Sequence, residues 1–485
     1  MSRKAQGALL LANPPLRLKR AGLYARLRDA IIDGTLAARQ RLPASRVLAD
    51  EHGVSRSTVE AVYDQLMSEG LVERHVGRGS FVTAMTVRAP KSAAVPFASS
   101  MPPSERGAQL GADPRGREPM RMQPFNAGVP DVSTFPQQAW ERCLRQATRS
   151  VPSGWLNHCD AMGYRPLREA LARYLAQFRG IRADADQVLV FGSTAQAFHA
   201  LCLLLLDPGD RVWCEDPGYP NAVSILTLVG AEPVPVPVDG CGIDVAAGKR
   251  IAADARMAYV TPAHQYPTGA RMAHERRRSL LDWAHATGAV VVEDDYDADF
   301  RYRGEPLTTL HALDGGCRTL YLGTLSKSMF LGLRVAYAVV PASLAERLAN
   351  IRALLDGFPP VHAQMALARF IEEGHLSAHV RHMRRAYESK LSALLEGVQP
   401  LLAQGWEVGP ADAGLHVVLF ESAPGEAARV ARSVDMALRP LSNYAQRSLP
   451  RNGLSLGFGG LSIEEIREGA AQLCRRVETP ARRAR

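Results

Sequence analysis

From about residue 124 onward, short apolar runs alternate with helical patterns, and this alternation limits the possible folds more than any other feature of the chain. The runs fall at 188–191, 212–214, 257–260, 289–292, 319–322 and 335–340, with helical stretches such as 195–206 and 275–286 between several of them. Continuous apolar strands separated by helices indicate a mainly parallel sheet covered on both faces. Residues 85–123 differ: they are rich in Pro, Ser, Ala, Gly and Arg without apolar periodicity, the composition of a flexible linker. Before them, residues 14–84 alternate helix-like and turn-like segments. The reading is a head over 14–84, a linker over 85–123 and a body over 124–485. At roughly 150 residues per domain, a chain of 485 residues accommodates this.

Composition removes several function classes. A hydrophobic fraction of 46% and a charged fraction of 22% are ordinary globular values. The longest apolar run, 200–206, falls far short of the ~20 residues that span a bilayer, so no membrane partner is expected. The N-terminal stretch lacks a full apolar segment and a small-residue cleavage site, so no export signal is read. Seven cysteines stand apart with no CxxC pair or His/Cys cluster. Neither a metal site nor a disulfide scaffold is expected, and an odd count fits the cytoplasm. The net charge is +9, yet residues 1–92 alone hold 15 Lys and Arg against 8 Asp and Glu. A basic head on a nearly neutral body points to a polyanionic partner.

In the head, Leu23, Leu27, Ala30 and Ile31 share one face of a first helix that Gly34 ends. A short second helix covers 44–51. His52-Gly53-Val54-Ser55 then forms a tight turn, with Gly able to take φ > 0 and Ser55 a good N-cap. The third helix carries the stripe Val59, Val62, Tyr63 and Leu66, and a hairpin follows with Gly77-Arg78-Gly79 in its loop. Two short helices joined through a Gly turn give the geometry that reads a major groove. Arg56, Ser57 and Thr58 then face base edges or phosphates, Arg46 reaches the backbone, and Arg78 enters the minor groove from the wing.

Only six lysines stand among the chain's 58 Lys and Arg. Lys327 lies in YLGTLSKSMFLGLR, just past an apolar strand, where a sheet's C-terminal edge builds ligand sites. A lone lysine reads as a surface residue; its neighbours change that reading. The run Val290-Val291-Val292-Glu293-Asp294-Asp295-Tyr296 is a buried strand ending in carboxylates and a phenol. An Asp there can keep a pyridine nitrogen protonated, and a Tyr can bond a ring oxygen. The segment LVFGSTAQAFHALCLLLL is strand, small-residue turn, helix, so the N–H groups around Thr194 and Ala195 form a phosphate cradle, which Arg334 can complete. In EDPGYP, Tyr219 can stack on a flat ring.

The run from Leu23 to Val82 resembles the winged-helix DNA-binding domain of GntR-type bacterial regulators. The body resembles the fold-type I aminotransferases from about 124 to 475. That second resemblance implies pyridoxal 5'-phosphate as cofactor, with Lys327 carrying the Schiff base, Asp294 on the pyridine nitrogen, Tyr296 on the ring oxygen and Tyr219 on the ring face. It implies Thr194, Ala195, Thr324 and Arg334 at the phosphate. In PAHQYPTGARM, Tyr266 stands where that family carries Asn, and Gln265 or His264 is the candidate substitute. The combination looks like the MocR subfamily of regulators, with three departures: Ser193 for Gly at the cradle, His158 for a Tyr that reaches the neighbouring subunit, and Ser455 about where aminotransferases carry a carboxylate-clamping Arg. Arg451 or Arg447 is the candidate replacement from the preceding loop.

The expected fold class is therefore two-domain: a winged helix-turn-helix, mainly α with a β wing, and an α/β fold-type I aminotransferase-like body. The expected function is a transcriptional regulator that binds specific double-stranded DNA and senses pyridoxal phosphate or an amine or amino-acid effector. The resemblance implies a homodimer. The alternative is an active aminotransferase with an accessory DNA-binding head; with Ser455 at the clamp position, little or no transaminase turnover is expected.

Overall fold

The computed structural model describes residues 20–84, 102–112, 123–297, 299–304 and 308–478. The chain forms two compact units that divide between Pro102 and Pro103. In the first, α1 (Arg20–Ile32), α2 (Ser45–His52) and α3 (Arg56–Ser68) precede a hairpin of β1 (Val72–His75) and β2 (Gly79–Val82). The helices meet through Leu23, Leu27, Leu48, Val59, Val62 and Leu66, so the stripes expected from spacing form the core. Gly53, at φ 62°, ends α2 in the left-handed region and returns its N–H to the Ala49 carbonyl. Ser55 caps α3 by accepting from Thr58 N at 3.1 Å. The Tyr63 hydroxyl donates to the Pro43 carbonyl at 2.8 Å, which ties α3 to the loop before α2.

The second unit is built on an eight-stranded sheet of β3 (Val188–Phe191), β4 (Arg211–Asp216), β5 (Glu232–Asp239), β6 (Gly242–Ile243), β7 (Met257–Val260), β8 (Val290–Asp295), β9 (Thr319–Thr324) and β10 (Ala336–Val339). Their order is β3-β10-β9-β8-β7-β4-β5-β6. The run β9-β8-β7-β4-β5 is parallel, with buried apolar clusters on both faces. β10 lies antiparallel between β3 and β9. Periodicity marks a strand but not its direction, so this reversal was not legible. Nor was β5, whose sequence EPVPVPVD reads as broken by proline. β5 pairs along its length with β4, while β6 covers only its Val238–Asp239 end. An edge strand is where missing N–H groups are tolerated.

A smaller sheet follows, ordered β11-β12-β14-β13, from β11 (Glu407–Val408), β12 (His416–Phe420), β13 (Arg439–Pro440) and β14 (Gly453–Gly457). Its core includes Val417, Leu419, Leu454 and Leu456, packed on the helices 375–397 and 463–478. Within the segment expected to be an irregular linker, residues 102–112 contain the helix Glu105–Gly111, capped by Ser104 accepting from Gly107 N at 3.1 Å. A Ser cap with Glu in the first turn supports a short helix even without an apolar stripe. Most of the remaining linker, and the basic tail from 479, lie outside the described residues.

Candidate functional site

At the C-terminal ends of β7, β8 and β9 a cavity of about 310 Å³ opens. All eight residues expected around the cofactor line it: Thr194, Ala195, Tyr219, Asp294, Tyr296, Thr324, Lys327 and Arg334. They come from four separate loops and strand ends that the parallel sheet brings to one edge.

Lys327 is buried, and its Nζ donates to the Gly128 carbonyl at 2.6 Å. Burial pushes its ammonium below the ordinary value, while the carboxylates of Asp297 and Asp294 oppose that fall. A lysine so placed is easier to deprotonate, as an imine-forming amine requires. Asp294, next to last in β8, has one oxygen accepting from the Tyr259 hydroxyl. Its Oδ1 is buried without a partner among the described residues. Burial pushes its carboxyl up to about 7, against the Tyr259 hydrogen bond. An orphaned buried carboxylate oxygen is costly, and a protonated ring nitrogen would satisfy it.

At the cavity's other end, the helix Thr194–Leu205 begins at Ser193. Ser193 Oγ accepts from Gln196 N at 3.1 Å and its carbonyl from Ala197 N at 3.1 Å. The two preceding N–H groups, of Thr194 and Ala195, are left at the cavity rim beside a favourable helix terminus. Ser193 sits at φ −166°, extended backbone open to any residue, so Ser in place of Gly introduces no strain. Arg334 is exposed, holds φ 52° and has no carboxylate partner among the described residues. Two N–H groups and a guanidinium fit a phosphate, and the orphaned oxygen fits a pyridinium; the donor set suits pyridoxal phosphate.

The aromatic wall is arranged less simply than expected. Tyr219 is stacked toward Tyr259 with centroids 6.5 Å apart, and its hydroxyl accepts from Asn221 at 3.1 Å. The Tyr296 hydroxyl is 3.0 Å from His264 Nδ1, which also lies 2.9 Å from Asp297 Oδ2. Gln265 does not reach the cavity: its amide nitrogen donates to Glu215, Pro217 and Tyr266, and its oxygen accepts from Thr268. It stitches a buried loop, so the expected substitution by Gln265 is corrected. Tyr266 itself lines the cavity, edge-on to Tyr296 at 5.7 Å. His264, Asp297 and His416 bring donor atoms within 4.8 Å of one another. His416 Nε2, however, is engaged at 2.9 Å by the Pro267 carbonyl, and burial holds this imidazole down to about 4, so the group is closed on itself. Gly128, Tyr259, Asn221, Asp297 and His416 were missed in the sequence. Asp297 alone carried a signal, as part of the acidic run after β8.

Of the departures, His158 is exposed with its ring edge-on to Phe358 at 5.5 Å. Ser455 is buried in β14. Arg451 bonds Glu407 at 2.6 Å and Arg447 stands beside Asp216; neither lines the cavity, which corrects the expectation that one replaces a clamp. A second cavity, of about 350 Å³, is flanked by Arg179, whose guanidinium is already paired with Asp295 and Asp299 at 2.8 and 2.6 Å.

In the first unit, Arg46, Arg56, Ser57 and Arg78 are exposed and Thr58 is half-buried. Arg56 Nε donates to Ser45 at 3.3 Å, linking α3 to α2. The Ser57 and Thr58 hydroxyls lie 2.7 and 2.8 Å from Ser55 Oγ, so the N-cap gathers three hydroxyls at the start of α3, with Ser55 and Ser57 exposed. Arg41 is also exposed, its guanidinium close over Gly79.

Residues 19–82 match the bacterial regulatory proteins of the gntR family, and residues 125–439 match aminotransferase class I and II. The probable rhizopine catabolism regulatory protein MocR of Rhizobium meliloti is 35% identical over 457 residues, covering 93% of this chain and 92% of that protein. The HTH-type pyridoxine biosynthesis transcriptional regulator PdxR of Corynebacterium glutamicum is 30% identical, covering 93% and 94%. Among solved structures, the α-aminoadipate aminotransferase LysN of Thermus thermophilus superposes with a TM-score of 0.69 at 25% identity, over 77% of this chain and 96% of that one. No helix among the described residues is long and apolar enough to cross a membrane. The chain belongs to the MocR subfamily of GntR-type transcriptional regulators, a winged helix-turn-helix joined to a fold-type I aminotransferase-like domain.

Proposed function

We propose that this regulator binds specific double-stranded DNA through Arg46, Arg56, Ser57, Thr58 and Arg78, holds pyridoxal phosphate on Lys327, and responds to pyridoxal phosphate itself or to an amine or amino-acid effector, as a cytoplasmic homodimer with domains over 14–84 and 124–485. The observation that carries the cofactor reading is the orphaned, buried Asp294 Oδ1 in the same cavity as Lys327 and the open helix terminus at Thr194 and Ala195. When bound, the cofactor supplies a carbonyl carbon exchangeable between amines and a ring that withdraws electrons. Asp294 holds the proton on the ring nitrogen, Tyr219 covers a face, Tyr296 faces the ring oxygen, and Thr194, Ala195, Thr324 and Arg334 fix the phosphate.

A Lys327 amine released from the cofactor would find the Gly128 carbonyl as its acceptor, which stands 2.6 Å from its Nζ in the structure. Gly128 lies close to where the linker enters the body, so exchange at Lys327 changes a contact at that entry. A two-state response needs such a differential contact. An electrophoretic shift on the upstream intergenic DNA, with and without pyridoxal phosphate and a panel of amines, tests this reading. Specific binding altered by one of them supports it; specific binding indifferent to all of them contradicts the sensing role.

A further inference from the structure

We propose that the second cavity, of about 350 Å³, is a separate binding site for a small dicarboxylate. It shares no lining residue with the cofactor cavity, and the inference does not rest on the cofactor reading. Side chains alternate along a strand, and β8 divides the two spaces. Asp294 lines the cofactor cavity, whereas its neighbours Glu293 and Asp295 line the other. A volume of this size lies at the small end of ligand sites.

Charge decides what the second cavity can hold. Arg179, Arg277, Arg301, Arg381 and Arg384 line it, against the carboxylates of Glu293, Asp295 and Asp299. Arg179 engages both aspartates, at 2.8 and 2.6 Å. Glu293 accepts from the N–H groups of Leu310 and His311, each at 2.9 Å, and burial pushes its carboxyl up to about 7. Arg301 pairs with Asp412 at 2.8 Å, yet its Nε is buried without a partner among the described residues. The guanidinium of Arg277 donates to the carbonyls of Met272, Thr308 and Pro262, which leaves two of its N–H groups over. Arg384 donates to the Asp299 carbonyl. Among the described residues, neither these two nor Arg381 has a carboxylate in ion-pair contact.

The uncompensated cations are also separated in space. Arg277 is buried, whereas Arg381 and Arg384 are exposed, one turn apart on the helix 375–397. A buried charge taken out of water calls for a counter-charge, and one acid group meets that need at Arg277. A second acid group, held a few carbons away, meets the fork of Arg381 or Arg384 at the solvent edge. Phe178 and Val380 in the wall suit the short hydrocarbon between them. His264 stands in the same wall, and its Nδ1 lies 3.0 Å from the Tyr296 hydroxyl and 2.9 Å from Asp297 Oδ2. Both of those residues line the cofactor cavity, so a ligand here sits against the hydrogen bonds of that cavity's wall.

Isothermal titration calorimetry on the full-length protein tests the site with malonate, succinate and glutarate, each compared with the monocarboxylate of equal chain length. At least one diacid should bind about 10- to 100-fold more tightly than its monoacid, the usual worth of a hydrogen bond to a charged group. Arg381→Gln, a change at an exposed position, should weaken that diacid about tenfold, and Arg381→Glu should abolish its advantage. Arg334→Gln alters the cofactor cavity and should leave diacid binding as it was. No advantage for any diacid, an advantage intact in Arg381→Glu, or one lost in Arg334→Gln overturns the proposal. Inorganic phosphate bound as tightly as the best diacid overturns the dicarboxylate assignment. Cofactor uptake is not part of the readout, so failure here leaves the cofactor reading standing.

Discussion

Lys327 Nζ donates to the carbonyl of Gly128 at 2.6 Å, and a Cβ built on Gly128 would lie 2.7 Å from that same nitrogen. Gly128 also holds φ +73°, a conformation that side chains resist. The lysine's position is thus set by a residue 199 positions away that has no side chain of its own. Gly128→Ala should cost about 1–3 kcal/mol of stability through backbone strain and weaken cofactor uptake by at least about tenfold, a loss of ~1.4 kcal/mol. Absorbance titration with pyridoxal phosphate measures it; unchanged affinity would mean that Gly128 does not position the lysine.

Asp294 gives a pH signature. Its carboxyl is held at about 7 in the folded protein, far above the ~3.9 of an unfolded aspartate. Between these values the folded chain keeps a proton that the unfolded chain has lost. That stability is fully present below about pH 4 and disappears as pH rises through 7. Without cofactor, the stability of the unmodified protein relative to Asp294→Asn should therefore fall from pH 5 to pH 8. With pyridoxal phosphate the carboxylate gains a cationic partner, and the difference at pH 8 should turn back toward the unmodified protein. Thermal melts of both proteins at the two pH values decide it, and a difference independent of pH and cofactor contradicts the assignment.

The DNA contacts separate by what they read. Arg56→Ala should cost ~1–3 kcal/mol and relax specificity at one base pair. Arg46→Ala should weaken all sequences about equally and flatten the salt dependence that counterion release imposes. Fluorescence anisotropy across a set of single-base operator variants distinguishes the two; identical profiles for both variants would refute the division of roles.

The body should hold two copies together. Sedimentation at micromolar concentration is expected to give a dimer, and a monomer there would contradict the proposed assembly.

How much of this was legible in the sequence follows from how local each feature is. The strand ends carrying Asp294 and Thr324 lie beside continuous apolar runs, so their meeting at one sheet edge follows from the parallel order, whereas Thr194 follows β3, which lies beyond the antiparallel β10. Proline hid β5, because the tolerance for it comes from an edge that exists only in the assembled sheet. Gly128, Tyr259 and Asn221 act through contacts made by the fold, and a glycine or tyrosine in a sequence does not announce them. Gln265 was misread for the opposite reason: its motif placed it near the cavity, but the hydrogen bonds of its own loop absorb it.

The central claim is that Lys327 carries the cofactor. Borohydride reduction of the full-length protein after incubation with pyridoxal phosphate, followed by peptide mass spectrometry, tests it directly. The phosphopyridoxyl mass should appear on the peptide containing Lys327, and the Lys327→Ala protein should remain folded and unlabelled there. A stoichiometric adduct on one of the other lysines, or no adduct on a folded protein, would contradict the account.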